Sequence, residues 1–306
     1  MFFGRTFSEN WLSAAVALGA AAWGLYWYPL REIESSGMTG SWAVVYFNAC
    51  PLLILGPLFV FFRAGLRHVM WPTVFAASMI GAAFTLYANG LVETTIIRAT
   101  MLYYLTPVWS TLLGVLWLSE KLTIARVVAI AIAFVGLYLL LVNSGLQGVP
   151  PNIGDLYSLL SGIFWAVAVA ALNRWPNIPI LPLTAFIFVF TTIFSFIFAG
   201  AVNNDPLPEV SMLQSSFAVA AFWSVCVLLP CFCIIFRGSQ ILFPGRVGIL
   251  TMSEVIVAIV SATVLVPEER MVLIQWVGGI AIITAGLIEV LFGYSRMKNA
   301  EGDRIA

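Results

Sequence analysis

Three charged side chains lie inside or at the ends of long apolar segments of the sequence. Glu254 is the eighth residue of a run from 247 to 266 that contains no other charge. Arg98 and Arg246 stand at or just within the ends of two such runs. A charge in the hydrocarbon region of a bilayer costs at least about 2.5–3.5 kcal/mol, so we expect each of these residues to serve a function.

The chemistry that these residues suggest is ion pairing and proton transfer. Glu254 is predicted to face a cavity, where its carboxyl group would carry a coupling proton or contact an ammonium group. Its alternative role is that of a buried acid satisfied by neighbouring backbone or hydroxyl groups. Arg98 and Arg246 are candidate gate residues, which would meet a substrate carboxylate or pair with Glu93 and Glu254. Their alternative is to snorkel to the membrane surface.

Aromatic and amide side chains within the apolar runs complete the predicted site. Trp and Tyr rings can stack on a planar group or hold a cation over a ring face, and a buried amide needs hydrogen-bond partners. Because 14% of the residues are aromatic, simple packing is the alternative for each ring. Glu254 is the predicted proton-coupling residue, and the predicted substrate-binding residues are Glu254, Arg246, Arg98, Trp23, Trp165, Tyr87, Tyr103 and Asn89.

The composition indicates that membrane-spanning helices must position these residues. Of the 306 residues, 61% are hydrophobic and only 9% are charged, whereas about 25% are charged in a typical soluble domain. A helix needs about 20 residues to cross a bilayer, and ten apolar runs have roughly that length without the alternation of barrel strands. The runs are 11–30, 39–62, 69–92, 99–119, 127–142, 156–173, 180–201, 213–236, 247–266 and 271–288.

The same composition argues against several other classes of function. A formal net charge of zero leaves no basic surface for nucleic acid. The single histidine, His68, and the four cysteines have no metal-ligand spacing, so we expect no metal and no cofactor. The spans hold no paired acids and no nucleophile with a base, which disfavours a membrane-embedded enzyme. A non-transporting scaffold remains a distant alternative, although it would not need Glu254.

The distribution of Lys and Arg predicts the orientation. Ten of these residues lie near the span ends that face the side of the N-terminus, whereas the opposite loops contain only Arg31 and Arg270. Because cytoplasmic loops carry the excess of positive charge, both termini are predicted to be cytoplasmic. We expect the partners to be the lipid bilayer, a small-molecule substrate and a coupling proton or ion, in a monomer or homodimer.

The two halves of the sequence show a weak internal repeat. A shift of 148 positions places Arg98 on Arg246, and a shift of 142 places Trp23 on Trp165. Because five is odd, a second copy of five spans must be inverted relative to the first. The predicted fold is an all-α integral membrane protein with ten transmembrane helices in two inverted five-helix repeats, residues 1–146 and 147–306, the second ending in a short cytoplasmic tail. Chance similarity between apolar helices is the alternative.

Several short motifs lie at equivalent places in the spans. They are Ala22-Trp23-Gly24, Leu105-Thr106-Pro107-Val108, Leu118-Ser119-Glu120-Lys121-Leu122-Thr123, Gly154-Asp155-Leu156 and Phe164-Trp165-Ala166. With these motifs the chain resembles the drug/metabolite transporter superfamily, specifically the EamA family of ten-span bacterial carriers. That family has Leu-Glu-Pro in the fourth and ninth spans, where this sequence keeps only the proline in one copy and only the acid, Glu254, in the other.

The resemblance implies a function as well as a fold. It implies that spans 1, 3, 4, 6, 8 and 9 surround a central cavity in the bacterial inner membrane. Since the sequence has no ATP-binding motif, we expect a secondary transporter that moves a small amphiphilic or zwitterionic metabolite, such as an amino acid or a derivative, by alternating access. The family favours export. The alternative is an importer of a quaternary amine or similar compatible solute, caged by Trp23, Tyr103 and Trp165 beside Glu254.

Overall fold

The structure, a computed structural model, describes residues 9–62, 69–106, 108–109, 112–113, 124–142, 150–175, 177–241 and 244–292. Within these ranges every regular element is a helix. The α-helices are α1 (Glu9–Trp23), α2 (Trp27–Ser35), α3 (Gly40–Ala49), α4 (Leu52–Phe62), α5 (Met70–Glu93), α6 (Ile96–Tyr103), α7 (Ile124–Val142), α8 (Ile153–Arg174), α9 (Ile180–Ile197), α10 (Val210–Ala221), α11 (Leu229–Ile241), α12 (Pro244–Leu265) and α13 (Leu273–Phe292).

The all-helical prediction is confirmed over the described residues. Five helical segments there are long and apolar enough to cross a bilayer, and three shorter apolar helices accompany them. A helix satisfies its own backbone hydrogen bonds, as the hydrocarbon region requires. Two of the long segments contain π-helical turns, at Phe198–Val202 after α9 and at Phe222–Leu228 between α10 and α11.

The first predicted span, 11–30, is not one continuous helix, which corrects the sequence prediction. α1 ends at Trp23 and α2 begins at Trp27, and the tighter hydrogen bond from the Tyr26 N–H to the Trp23 carbonyl, 2.8 Å, joins them. Gly24 lies at this interruption, where a Cβ atom would stand 2.5 Å from the carbonyl oxygen of Glu254. The interruption therefore brings the first span into backbone contact with α12.

The fourth span is also interrupted, near the proline that the sequence places there. α6 ends at Tyr103, four residues before Pro107, which itself lies outside the described residues. A proline cannot donate a hydrogen bond to the carbonyl four residues earlier and clashes with it. The Tyr103 carbonyl instead accepts a 2.6 Å hydrogen bond from the Thr106 hydroxyl, so a side chain satisfies the backbone group that the proline leaves unpaired.

The helices pack in two groups, which are defined here by their contacts. In the first group, α5 packs along α8 and α9, and α6 packs on α8. In the second group, α1 packs along α12 and α11, and α2 packs on α10. α3 contacts helices of both groups, and α7 pairs with α13. The two groups meet where α6 contacts α12, where α9 contacts α11 and where α2 contacts α5.

Candidate functional site

Glu254 lies at the middle of α12 and is the centre of the candidate site. Its side chain is buried, with 7% of the residue exposed. The side chains of Trp23 and Tyr104 lie beside its carboxyl group as possible hydrogen-bond donors, whereas Oε1 is buried without a hydrogen-bond partner among the described residues. A buried acceptor without a partner costs free energy. The carboxyl group therefore has spare capacity to accept a proton or a hydrogen bond from a ligand.

The two partners of Glu254 stand at the two helix interruptions. Trp23 is the last residue of α1, and Tyr104 is the first residue after α6. Helices that break inside a membrane turn their ends and nearby side chains towards a common point, as at the binding sites of many transporters. The interruptions in the first and fourth spans therefore place one donor each beside the same carboxyl group.

Close contacts on either side of Glu254 hold the first span, α1 and the start of α2, against α12. The Ser253 hydroxyl donates a 2.8 Å hydrogen bond to the Ala17 carbonyl, and the Trp27 indole N–H donates a 3.1 Å hydrogen bond to the Ser261 hydroxyl. Gly24 lies between them, directly against the backbone of α12. Small and polar residues of this kind allow helices to approach closely within a membrane.

Aromatic rings form a continuous cluster beside Glu254. Trp23 contacts Phe84 at a ring-centroid distance of 5.0 Å, and Phe84 stacks on Trp165 at 5.7 Å. Tyr103 contacts Trp165 at 6.5 Å and Tyr87 at 4.9 Å. Four predicted ring residues thus belong to one cluster, and the negative ring faces of such a cluster suit a cation beside a carboxylate.

The rings of this cluster contact one another directly. Trp23 stacks on Tyr26 with centroids 4.6 Å apart, and Tyr103 contacts Tyr104 at 5.2 Å. Phe232 of α11 packs on Phe84 at 4.9 Å and so joins the cluster to the eighth predicted span. A ligand that reached Glu254 through these rings would have to separate them.

Asn89 does not belong to the ring cluster, although the sequence analysis grouped it with Tyr87. Positions two apart on an α-helix differ by about 200° around its axis, so Asn89 points away from Tyr87. Its amide nitrogen donates a 2.8 Å hydrogen bond to the Thr85 carbonyl, and its buried Oδ1 has no partner among the described residues. Nothing in this arrangement connects Asn89 with Glu254.

Arg98 is buried at the start of α6 and pairs with Asp155 near the start of α8. The guanidinium also donates a 3.3 Å hydrogen bond to the Pro150 carbonyl. Asp155 accepts a further hydrogen bond from the Thr94 hydroxyl at 2.8 Å and, with Asn152, forms the capping box of α8. The pairing with Glu93 or Glu254 that the sequence analysis considered is replaced by an ion pair within one helix group.

Some predicted residues lie outside the described part of the structure. Arg246 belongs to α12, but its side chain is not among those described. The same holds for the whole of His68 and for the predicted boundary between the halves at residue 146.

Several members of the aromatic cluster were not among the residues predicted from the sequence. Tyr104 has a detectable signal, because it follows the carbonyl that Pro107 leaves unpaired. Phe84 stands three positions before Tyr87 and so shares its helix face. Phe232 offers no comparable signal, since nothing local in the sequence distinguishes it from the other phenylalanines.

Comparison with known proteins adds two findings. Residues 10–142 match the EamA-like transporter family, which confirms the resemblance over that part of the chain. Sixteen chains of solved structures match the fold. One of them, a crystal structure, has 17% sequence identity and a TM-score of 0.56 over 92% of this chain and 98% of its own. At that identity the likeness shows the fold alone. No curated protein matches the sequence.

Proposed function

We propose that this protein, whose residues 10–142 belong to the EamA-like transporter family of membrane proteins, is a secondary transporter of a small amphiphilic or zwitterionic metabolite. An amino acid or a derivative fits best, exported across the bacterial inner membrane by alternating access, with both termini cytoplasmic. The observation that carries the proposal is the buried carboxyl group of Glu254, which stands between two helix interruptions and beside a cluster of aromatic rings.

The packing of the helices supports two inverted five-span repeats. If spans 1–5 correspond to spans 6–10, a contact between the third and sixth spans requires one between the eighth and first. Both are present, as α5 with α8 and α11 with α1. The contact of α6 with α8 likewise corresponds to the contact of α12 with α1. The fifth and tenth spans, α7 and α13, pair with each other, a contact that the same symmetry maps onto itself.

The position of Glu254 supports alternating access. Its partner Trp23 lies in the same helix group, whereas Tyr104 lies in the other. A solute that displaced Tyr104 from the carboxyl group would remove a contact between the two groups and allow them to move relative to each other. Binding energy realised differently in two conformations is what shifts a protein between them.

The charges near the cluster favour a substrate with an ammonium group. Glu254 supplies a carboxyl group that is anionic once its proton leaves, and Trp23 and Tyr103 supply ring faces that attract cations. Arg98, the described candidate for binding a substrate carboxylate, is already paired with Asp155. The carboxylate of a zwitterion would therefore need other donors, for which Arg246 is the remaining predicted residue.

The second candidate function is import of a quaternary amine or similar compatible solute. The ion pair of Arg98 with Asp155 favours it, because a cation without a carboxylate needs no free guanidinium. The ring cluster beside Glu254 provides the surroundings that a quaternary ammonium group prefers.

Uptake into proteoliposomes tests the proposal and separates its two forms. The probes are radiolabelled L-amino acids and radiolabelled choline, and the variants are Glu254→Gln and the control Glu32→Gln, which removes an exposed carboxylate of α2. We expect the wild type and Glu32→Gln to transport one probe class, and the uptake rate of Glu254→Gln for that class to be at least tenfold lower. Transport of choline and not of the amino acids would favour the second candidate function. Equal rates for Glu254→Gln and the wild type would refute the role of this carboxyl group.

Proton coupling is tested separately with a pH-sensitive dye trapped inside the proteoliposomes. We propose that Glu254 carries the coupling proton, since its carboxyl group is buried and its Oε1 atom has no hydrogen-bond partner among the described residues. Addition of the transported probe should then move protons in the wild type and not in Glu254→Gln. Proton movement in both proteins would assign coupling to another group.

A further inference from the structure

Two contacts close the end of the bundle where α2 and α5 end, which is called the distal end here. One joins the two helix groups, and the other joins α3 to the first group. The guanidinium of Arg31, on α2, donates a 3.0 Å hydrogen bond to the Leu91 carbonyl of α5. Gly40, the first residue of α3, packs against Val92 so closely that a Cβ atom on it would lie 3.0 Å from the Val92 Cβ. Both contacts therefore fall on the last turn of α5.

The Arg31 contact is one that can form and break. The last four carbonyls of a helix lack partners within the helix, and a cation there interacts favourably with the helix dipole. Arg31 also pairs with Glu34 at 3.8 Å, but the two side chains are 40% and 32% exposed, and exposed ion pairs are weak. The pKa of Glu34 is raised, mainly because the carboxyl group is partly buried. The charge of Arg31 lowers this pKa, and the like charge of Glu93 raises it further.

Two hydrogen bonds at the same end tie α3 to the segment that follows α9. The Asn203 amide donates a 2.5 Å hydrogen bond to the Ser41 hydroxyl, and the Trp42 indole N–H donates a 3.3 Å hydrogen bond to the Asp205 carbonyl. α9 belongs to the same helix group as α5. The start of α3 thus contacts that group at two places, through Val92 and through this segment.

The contacts of Arg98 at the distal end are of a different kind. Arg98, Thr94 and Asp155 join α6 and the α5–α6 connection to α8, and Asn152 donates to the Glu93 carbonyl at 3.0 Å. All of these residues lie in one helix group. These contacts can stay in place while the two groups move. Arg98 therefore holds helices of one group together and is not part of the gate.

We propose that Arg31 and Gly40, closed on Leu91 and Val92, form the distal gate that must open for a solute to pass between that end and Glu254. This inference rests on the proposed transport function and adds the gate to it. The contacts to Asn203 and Asp205 close the same end beside it.

Disulfide trapping tests the gate. In a chain whose four cysteines, Cys50, Cys226, Cys231 and Cys233, are replaced by alanine, one variant carries Gly40→Cys with Val92→Cys. The control carries Val16→Cys with Gly238→Cys, where the Cβ separation is 3.7 Å but both positions lie within one helix group, on α1 and α11. Disulfides join Cβ atoms about 3.5–4.5 Å apart, so the gate pair must separate by about 0.5 Å to form one. Uptake of the radiolabelled probe is measured in the oxidised and reduced forms, and the reduced form shows that each variant has folded.

The gate predicts a specific pattern of uptake. Oxidation should reduce uptake by the Gly40→Cys, Val92→Cys variant at least tenfold, reduction should restore it, and the control should transport in both forms. Uptake by the oxidised gate variant, failure of its disulfide to form, or equal inhibition in the control would overturn the gate.

Hydrogen exchange separates failure of the gate from failure of the proposed function. If no reduced protein takes up any probe, the transport proposal is at fault, and exchange of the amides at 36–40 and 90–94 then decides about the gate. Oxidation of the gate variant should slow exchange at 36–40 at least tenfold, while the control disulfide leaves it unchanged. Exchange that is equally fast in all forms would show that these contacts do not open and close.

Discussion

Replacing Gly24 by alanine tests whether the backbone contact between the first span and α12 positions the candidate site. The added Cβ would stand 2.5 Å from the Glu254 carbonyl oxygen, and ordinary contacts of a Cβ begin at 3.4 Å. The difference, 3.4 − 2.5 = 0.9 Å, is the distance by which the two backbones must separate. The obstacle is a backbone atom, which cannot rotate away as a side chain would.

The expected magnitude follows from opposing terms. Overpacking costs about 1–3 kcal/mol, whereas replacing glycine by alanine gains about 0.4–1 kcal/mol by restricting the unfolded chain. The net effect of Gly24→Ala should therefore be destabilisation, together with displacement of the Trp23 side chain from Glu254. Since 1.4 kcal/mol corresponds to a factor of ten, we expect transport to fall about tenfold or more.

The assay combines thermal unfolding in detergent, followed by a thiol-reactive dye on the buried cysteines Cys50 and Cys231, with uptake into proteoliposomes. Gly200→Ala is the matched control, because a Cβ there meets no atom within 4 Å. It should unfold at or above the wild-type temperature and transport normally. If Gly24→Ala behaves like Gly200→Ala in both measurements, the contact does not position the site.

Three further predictions concern the polar groups. Tyr104→Phe removes a possible hydrogen-bond donor beside Glu254. We expect the affinity for the probe to change several-fold, and the unfolding temperature to fall by no more than in the control Tyr28→Phe. An unchanged affinity would show that the Tyr104 hydroxyl does not act on the site. Arg98→Gln leaves the carboxylate of Asp155 without its cation and should destabilise the protein by up to about 3–5 kcal/mol. The double variant Arg98→Gln with Asp155→Asn should recover much of that lost stability. Additive losses of stability in unfolding measurements would refute the structural role of this ion pair. Burial raises the pKa of Glu34, so the folded protein holds this proton more tightly than the unfolded chain, and stability should fall as the pH rises from the ordinary glutamate value through the raised one. Glu34→Gln should flatten that part of the profile of unfolding temperature against pH. An unchanged profile would show that Glu34 does not cause this pH dependence.

The sequence was sufficient to predict an all-helical fold with apolar helices and a buried acid at position 254. Long charge-free runs have few alternatives to membrane-spanning helices, and the cost of burying a charge made Glu254 conspicuous. The end of α6 at Tyr103 can also be understood from the sequence, because a proline acts locally on the carbonyl four residues before it, here that of Tyr103. The spacing of Trp23, Tyr87, Tyr103 and Trp165 did not reveal their cluster, but their depth within spans made them candidates.

Other features could not be predicted because they depend on distant residues. The interruption after Trp23 accompanies the approach of Gly24 to Glu254, which lies 230 positions away in the chain. The ion pair of Arg98 could not be predicted, because its partner, Asp155, lies on another helix and the sequence neighbours of Arg98 give no hint of it. The face of α5 that carries Asn89 is likewise decided by the packing of neighbouring helices.

The tight seam between α5 and α8 has a consequence for how the protein is made. Gly90 lies against Ser158, and Gly154 lies against Glu93, although the chain must be extended by some sixty residues before the second partner of each pair exists. During synthesis α5 therefore enters the bilayer with this glycine surface facing lipid, and it reaches its final neighbour only after later spans have been inserted. Bulky substitutions at Gly90 or Gly154 should accordingly reduce the yield of inserted protein as well as its activity once assembled.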